Sequence, residues 1–385
     1  MSTTASTTGT TSGDGAPPST LSGSRRSLLL EHDAVLLDLD GVVYVGAHAV
    51  PHAAGALTQA AAEGHRLAYV TNNASRPPST VGAHLRELGV PADDDDVVTS
   101  AQAAARHLAQ RLPEGSRVLL IGGAGLREAL TAVRLTVVDS LADHPVAVVQ
   151  GFSPDTSWAR LAEATHAVRA GLWWVATNLD ATVPTPHGPA PGNGLMVQLV
   201  AQAAGREPDV VCGKPERALF DEAVARLGAS RAIVVGDRLD TDLQGARTAG
   251  LTGLLVLTGV TGVAELLAAA PHERPHHLGR DLRSLQQEHP EPEVERSAGG
   301  VTVRCRDAVV VVGPSEVSVR SAAAGPDGLD VLRAAAEAVW TARDAEPGAR
   351  WALDVAGLVE QVVHTLAVDT PQPGDERSGE VRDGL

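Results

Sequence analysis

The chain has 385 residues and a net charge of −16, which excludes a broad cationic surface for nucleic acid and leaves any phosphate site to local positive charge. Hydrophobic residues make up 43% but aromatic ones only 2%, so the cores must be built from alanine, valine and leucine, in about two or three domains. Cys212 and Cys305 make no disulfide framework, and no apolar run reaches the length of a membrane span, so a cytoplasmic protein without membrane association is expected.

Residues 1–27 are rich in Ser, Thr and Gly without apolar periodicity and are expected to be disordered. From residue 34 the pattern alternates strand and helix, as in a parallel sheet covered by helices. The run Ala34-Val35-Leu36-Leu37-Asp38-Leu39-Asp40-Gly41 ends in two carboxylates two residues apart, which a strand sends to one side of the sheet. Two like charges so close need a proton or a cation between them, and carboxylates suit a hard cation such as Mg²⁺. On this segment alone, two solvated aspartates at a strand end explain the pattern equally well.

A helix over 53–63 leads to a strand from 66 that ends in Thr71-Asn72-Asn73, and a second helix covers 79–88. The acidic run 93–96 reads as a solvated loop. A helix over 101–111 and a strand over 117–121 precede Gly122-Gly123-Ala124-Gly125, which lacks the full G-x-G-x-x-G spacing and reads as a tight turn. Strands at 147–150 and 172–177 flank a helix at 158–170, and the Pro- and Gly-rich stretch 182–193 reads as a hinge. A helix over 194–204 then leads to a short strand ending at Gly213-Lys214-Pro215. Lys214 is the chain's only lysine among 31 basic residues, either a chance survivor of an arginine-biased composition or a candidate for a place where a compact ammonium is needed. After the next helix, the strand 232–236 ends in Asp237, with Asp240 and Asp242 close behind.

Four strands thus end in polar chemistry, at Asp38 and Asp40, Thr71 and Asn72, Lys214, and Asp237. In an open parallel sheet the carboxyl ends of the strands share one edge, which gathers these groups into a set suited to a phosphate and a divalent cation.

The ordered set Asp38-Leu39-Asp40-Gly41-Val42-Val43-Tyr44, Thr71-Asn72-Asn73-Ala74-Ser75-Arg76, Gly213-Lys214-Pro215 and Gly236-Asp237-Arg238-Leu239-Asp240-Thr241-Asp242 resembles the four motifs of the haloacid-dehalogenase superfamily of phosphatases, in its NagD-like branch. The resemblance spans about residues 30–285 and implies an α/β fold. A doubly wound, Rossmann-like core over 28–100 and 191–285 would carry an inserted α/β cap over 101–190. It implies Asp38 as nucleophile, Asp40 as acid and base, and Lys214 as charge stabiliser. Thr71, Asn72 and Asn73 would lie at the phosphate, and Mg²⁺ would be held by Asp38, the Asp40 carbonyl and Asp237, with Asp242 as a direct metal partner or one acting through a neighbour. Asn178 and Asp180 would lie near the substrate in the cap, although Leu179 stands where proline is common. The Arg-rich composition and the tail point to actinobacterial members acting on glycerol 3-phosphate. Phosphoglycolate, pyridoxal phosphate, nucleoside monophosphates and sugar phosphates remain alternatives, as does a regulatory protein that binds a phosphorylated metabolite and acts through its tail. The implied partner is a small phosphorylated metabolite, and homo-oligomerisation stays open.

Beyond residue 285, the stretch 286–299 reads as a linker. Strands at 300–306, 308–312 and 317–322, a helix at 328–343 and a strand or helix at 351–363 make a small α+β module over 300–369. It resembles part of an acetyltransferase fold but lacks the R-x-x-G-x-G/A loop for acetyl-CoA, so docking or regulation is expected of it. Residues 370–385 are expected to be disordered.

Overall fold

The computed structural model describes residues 20–185, 187–297, 300–313, 317–345 and 355–368, and the expectations for 1–19, 351–354 and 370–385 fall outside them. The core is a six-stranded sheet in the order His277–Gly279, Thr252–Val256, Ala232–Gly236, Ala34–Leu37, Arg66–Thr71, Val97–Thr99, every pair parallel. Ala34–Leu37 lies at its centre, with Leu36 opposite both Val234 and Ala68. All four of its residues are buried, as expected for a parallel sheet covered on both faces. The two-residue period divides them: Val35 and Leu37 pack with Leu57, Leu85 and Leu282, while Ala34 and Leu36 pack with Leu219, Phe220 and Ala246 on the other face.

A second, five-stranded parallel sheet has the order Val210–Val211, Trp173–Ala176, Ala147–Gln150, Arg117–Ile121, Thr136–Val138. The helices Trp158–Arg169 and Asn193–Ala204 pack on one of its faces. Two elements near the ends of the expected cap of 101–190 join it to its neighbours. Val210–Val211 hydrogen-bonds with Trp173–Ala176, so the strand leading to Lys214 belongs to the second sheet and not to the core sheet. The helix Ser100–Ala109 places Ala104 and Leu108 in a cluster that joins Val70 and Val98 of the core to Val118 and Val149 of the second sheet. Short alanine-rich helices carry no pattern that says which of two sheets they cover.

The C-terminal unit is a four-stranded antiparallel meander, Glu293–Ser297, Gly300–Cys305, Ala308–Val312, Val317–Ser321, with the helices Asp330–Ala345 and Val355–Val368. The stretch expected as a linker therefore supplies its first strand. Glu293 and Glu295 are exposed there, while Val294 packs inward, so the alternation is present but masked by charge. The helix Asp330–Ala345 is buried through Ala342, among Leu255, Leu266 and Leu278 of the core and Val303 and Val310 of the meander. Trp340 Nε1 donates to the Leu266 carbonyl at 3.1 Å, and Arg333 donates to the Leu278 carbonyl at 2.8 Å. Core and meander thus share one hydrophobic interior.

Residues 20–27, expected within the disordered tail, are ordered by long-range partners. Glu337 accepts the amides of Thr20 at 3.0 Å and Leu21 at 3.1 Å, and the Ser22 amide donates to the His276 carbonyl at 2.8 Å. A polar segment tied down by distant groups has no local signature.

At the amino edge of the core sheet, Asp33 accepts hydrogen bonds from the Ser230 amide (2.8 Å), the Ser230 hydroxyl (2.7 Å) and the Arg231 amide (2.9 Å). Desolvation raises the Asp33 carboxyl, but these bonds and the charge of Arg66, 3.4 Å away, outweigh it and bring it down to about 2. A carboxyl depressed in the folded state contributes stability that is complete above its unfolded value of about 4 and is lost as pH falls through the folded one. Asp33→Asn is therefore expected to melt a few degrees below the parent at neutral pH. In melts followed across pH the gap should close toward pH 2; a gap independent of pH contradicts the assignment.

Candidate active site

Asp38 follows the central strand directly, and its amide donates to the Val235 carbonyl at 2.9 Å, continuing the ladder. Gly41 then turns the chain with φ +86°, which glycine adopts without strain, and a Cβ there would stand 2.5 Å from Asp237 Oδ2. This turn leaves Asp40 exposed at the mouth of the site, with Asp38 half-buried behind it.

Lys214 reaches into the core from the end of the second sheet. Its side chain is 4% exposed, and its ammonium donates to Asp38 Oδ1, to Asp242 Oδ1 (2.7 Å) and to the Val70 carbonyl (3.3 Å). Three donors meet three acceptors, so the buried charge is fully hydrogen-bonded. Burial lowers the lysine's affinity for its proton, but Asp242 and Asp38 outweigh it and hold the ammonium charged. Asp242 stands on a widened turn, Leu239–Leu243, in which the Leu243 amide donates to the Arg238 carbonyl at 3.2 Å. Its second oxygen accepts the Arg238 amide at 3.2 Å.

Asp237 is buried beside this pair. Oδ2 accepts the Val260 amide at 2.7 Å, while Oδ1 is buried with no hydrogen-bond partner. Oxygens of Asp38, Asp237 and Asp242 lie within 4.8 Å of one another. Burial, together with the neighbouring carboxylates, pushes Asp38, Asp237 and Asp242 each up to about 6, even with Lys214 opposing it. Three converging carboxylates, one with an orphaned oxygen, against a single ammonium form an oxygen-ligand site that fits a hard divalent cation.

The core strand Arg66–Thr71 supplies the other wall. Thr71 is buried, and its hydroxyl oxygen accepts the Asn73 amide at 3.1 Å, which leaves its own proton free to donate. The side chain of Asn72 is spent on protein groups. Its Oδ1 accepts the Lys214 amide at 2.7 Å, and its Nδ2 donates to Asp180 Oδ1 at 3.0 Å and the Lys214 carbonyl at 3.2 Å. Asn73 turns its Oδ1 to its own loop, accepting the amides of Ser75 (2.8 Å) and Arg76 (3.2 Å). Asn178 Nδ2 donates to the Asn72 carbonyl at 2.7 Å. The carboxyl ends of the two sheets thus face each other, and Asp38, Asn72, Asn178, Asp180 and Lys214 are joined by hydrogen bonds across that junction.

Ser100 was not foreseen: its hydroxyl donates to the Asn72 carbonyl at 2.6 Å, although in sequence it reads only as a helix start. Of the glycine-rich stretch expected as a tight turn, Ala124 and Gly125 open the helix Ala124–Ala132. The Gly125 amide donates to the Ser75 carbonyl at 2.9 Å, and a Cβ at Gly125 would lie 2.6 Å from the Arg76 carbonyl oxygen, so the first turn of this helix packs directly on the Asn73 loop. Asp240, read as a surface residue, is exposed and paired with Arg238 at 2.8 Å.

The chain matches the family profile of haloacid dehalogenase-like hydrolases over residues 35–136 and a HAD-hydrolase-like profile over residues 211–285. It is 46% identical over 327 residues to D-glycerol 3-phosphate phosphatase of Mycobacterium tuberculosis, covering 83% of this chain and 89% of that one. It is 34% identical over 238 residues to an acid sugar phosphatase of Staphylococcus aureus, covering 61% of this chain and 90% of that one. Among solved structures, glycerol phosphate phosphatase from Mycobacterium tuberculosis in complex with magnesium superposes with a TM-score of 0.73 at 45% identity, over 83% of this chain and 93% of that one. The p-nitrophenyl phosphatase from Archaeoglobus fulgidus does so with a TM-score of 0.62 at 29% identity, over 66% and 98%. With its motif residues gathered at one sheet junction and a relative 46% identical over 83% of its length, the chain belongs to the haloacid dehalogenase-like hydrolases, as a phosphatase of that family.

Proposed function

We propose that the chain is a Mg²⁺-dependent phosphatase of small phosphomonoesters, glycerol 3-phosphate foremost, acting through an aspartyl-phosphate on Asp38 in the cytoplasm. The observation that carries this reading is the buried Lys214 ammonium held between Asp38 and Asp242, beside an Asp237 oxygen without a partner. The likeness to glycerol phosphate phosphatase supports the substrate, and two buried free cysteines suit a reducing compartment.

In the first step the Asp38 carboxylate forms a bond to phosphorus as the bond to the substrate's alcohol oxygen breaks, and Asp40 gives that oxygen its proton. In the second, Asp40 takes a proton from a water whose oxygen attacks phosphorus, releasing phosphate and restoring the Asp38 carboxylate. Lys214 orients Asp38 and offsets negative charge on the transferring group, and the Thr71 hydroxyl with the Asn72 main chain holds phosphoryl oxygens. The Asn72 side chain acts from behind, fixing the Lys214 main chain, and Asn73 shapes the loop that follows. Asp38, Asp237 and the Asp40 carbonyl would hold the Mg²⁺, with Asp242 bracing the set through Lys214. Bound there, Mg²⁺ offsets the repulsion between the Asp38 carboxylate and an incoming phosphate. Asn178 and Asp180 bring the cap to the substrate's side of the site.

Two measurements test the reading. Asp38→Asn should lower phosphate release from glycerol 3-phosphate by at least about a thousandfold while the melting curve stays cooperative; turnover near the parent's would exclude Asp38 as nucleophile. Millimolar Mg²⁺ should raise the melting midpoint of the parent by a few degrees and leave that of Asp237→Asn where it was. Equal shifts in both proteins would place the cation elsewhere.

A further inference from the structure

The helix Asn193–Ala204 begins directly behind the cap loop 177–180, and the contacts between them are unusually close. Asn193 is buried, and its Nδ2 donates to the Asn178 carbonyl at 2.7 Å. The amides of Gly192 and Gly194 donate to the carbonyls of Ala181 and Asp180, both at 2.8 Å. A Cβ on Gly194 would collide with the Leu179 carbonyl, and one on Gly192 with the Asp180 carbonyl. The three residues form a cradle that admits the loop only because two of them lack side chains.

The loop in turn grips the core through Asn72, which accepts at its carbonyl from Asn178 and donates to Asp180. Asn72 then holds the main chain of Lys214 from both sides, and Lys214 holds Asp38. Nothing in this sequence of contacts is loose. A Cβ at Gly213 would lie 2.6 Å from Asn72 Oδ1, 2.6 Å from the Thr177 carbonyl and 2.8 Å from Asn178 Cβ. A shift of the loop is therefore transmitted to Lys214 rather than absorbed.

We propose that Asn193, in its Gly192 and Gly194 setting, is a positioning residue that seats the cap loop on Asn72 and so fixes Lys214 against Asp38. Its side chain reaches the Asn178 carbonyl and acts on Asp38 only through the loop, Asn72 and Lys214. Its Oδ1 is buried without a partner, so Asn193→Ala removes one unsatisfied acceptor while leaving the Asn178 carbonyl without its donor, a near-even exchange with which the variant is expected to fold.

The proposal rests on the phosphatase reading, and one of its two tests needs no turnover. Asn193→Ala should lower kcat/KM for glycerol 3-phosphate about tenfold in the parent and less than about twofold in an Asn72→Ala background, where the relay is already cut. Equal losses in both backgrounds, or none in the parent, overturn it. In hydrogen exchange, the Lys214 amide should exchange faster in Asn193→Ala while the amides of Ala34–Leu37 keep their protection. A residue that only stabilised the cap would lower the melting midpoint and leave Lys214 as protected as in the parent, which also overturns the proposal. Gly194→Ala displaces the same loop by steric contact and carries both tests if Asn193→Ala does not fold. Absence of turnover in the parent would count against the phosphatase reading alone, with the exchange result standing by itself.

Discussion

A buried ammonium between two aspartates is the constraint on which this structure turns. Removing a lysine and two carboxylates from water costs several kcal/mol per charge unless each is paired in good geometry, and loss of one partner leaves the others stranded. Lys214 must therefore meet Asp38 and Asp242 together, and these follow different strands of the core sheet, Asp38 directly and Asp242 on the widened turn, while Lys214 follows a strand of the second sheet. The pairing ties the two sheets at the place where phosphate chemistry requires positive charge in an otherwise acidic protein. The surplus of carboxylates that remains, with Asp237 Oδ1 unpartnered, leaves room for a cation.

The same logic explains why so many amides surround the site. Backbone and side-chain polar groups buried at the junction need partners, and Asn72 serves both sheets at once, with its carbonyl shared by Ser100 and Asn178 and its side chain by Asp180 and Lys214. With these partners Asn72 holds one geometry. The C-terminal meander takes part from the far side. Its helix Asp330–Ala345 packs in one cluster with Leu239 and Leu243, which flank Asp242 on the widened turn. The tail is thus continuous with the core's interior, whatever further role it serves.

How far the sequence could be read follows from the range of the forces involved. The strand ending at Asp38, the Thr71 strand and the strand ending at Asp237 were legible because local apolar runs stop at polar residues, and the single lysine drew notice because its background is arginine. What was not legible depends on distant partners. Val210–Val211 joins the second sheet through pairing with Trp173–Ala176, which no pattern in two valines announces. The charged strand Glu293–Ser297 looks like a linker until its pairing with Gly300–Cys305 is seen. Residues 20–27 are ordered by Glu337 and His276, more than two hundred and fifty positions away. Asn73 was read as a phosphate contact beside Asn72, yet neighbouring loop amides claim its side-chain oxygen.

The most direct test of the account is the substitution Lys214→Arg, which keeps the charge and changes only its shape. A planar guanidinium cannot direct three donors to Asp38, Asp242 and the Val70 carbonyl from the space an ammonium occupies. Steady-state hydrolysis of glycerol 3-phosphate by Lys214→Arg is predicted to fall about a hundredfold or more below the parent, at saturating Mg²⁺ and with the fold retained. Turnover within a few fold of the parent would contradict the account, because the site would then need only a positive charge and not the compact one on which both sheets converge.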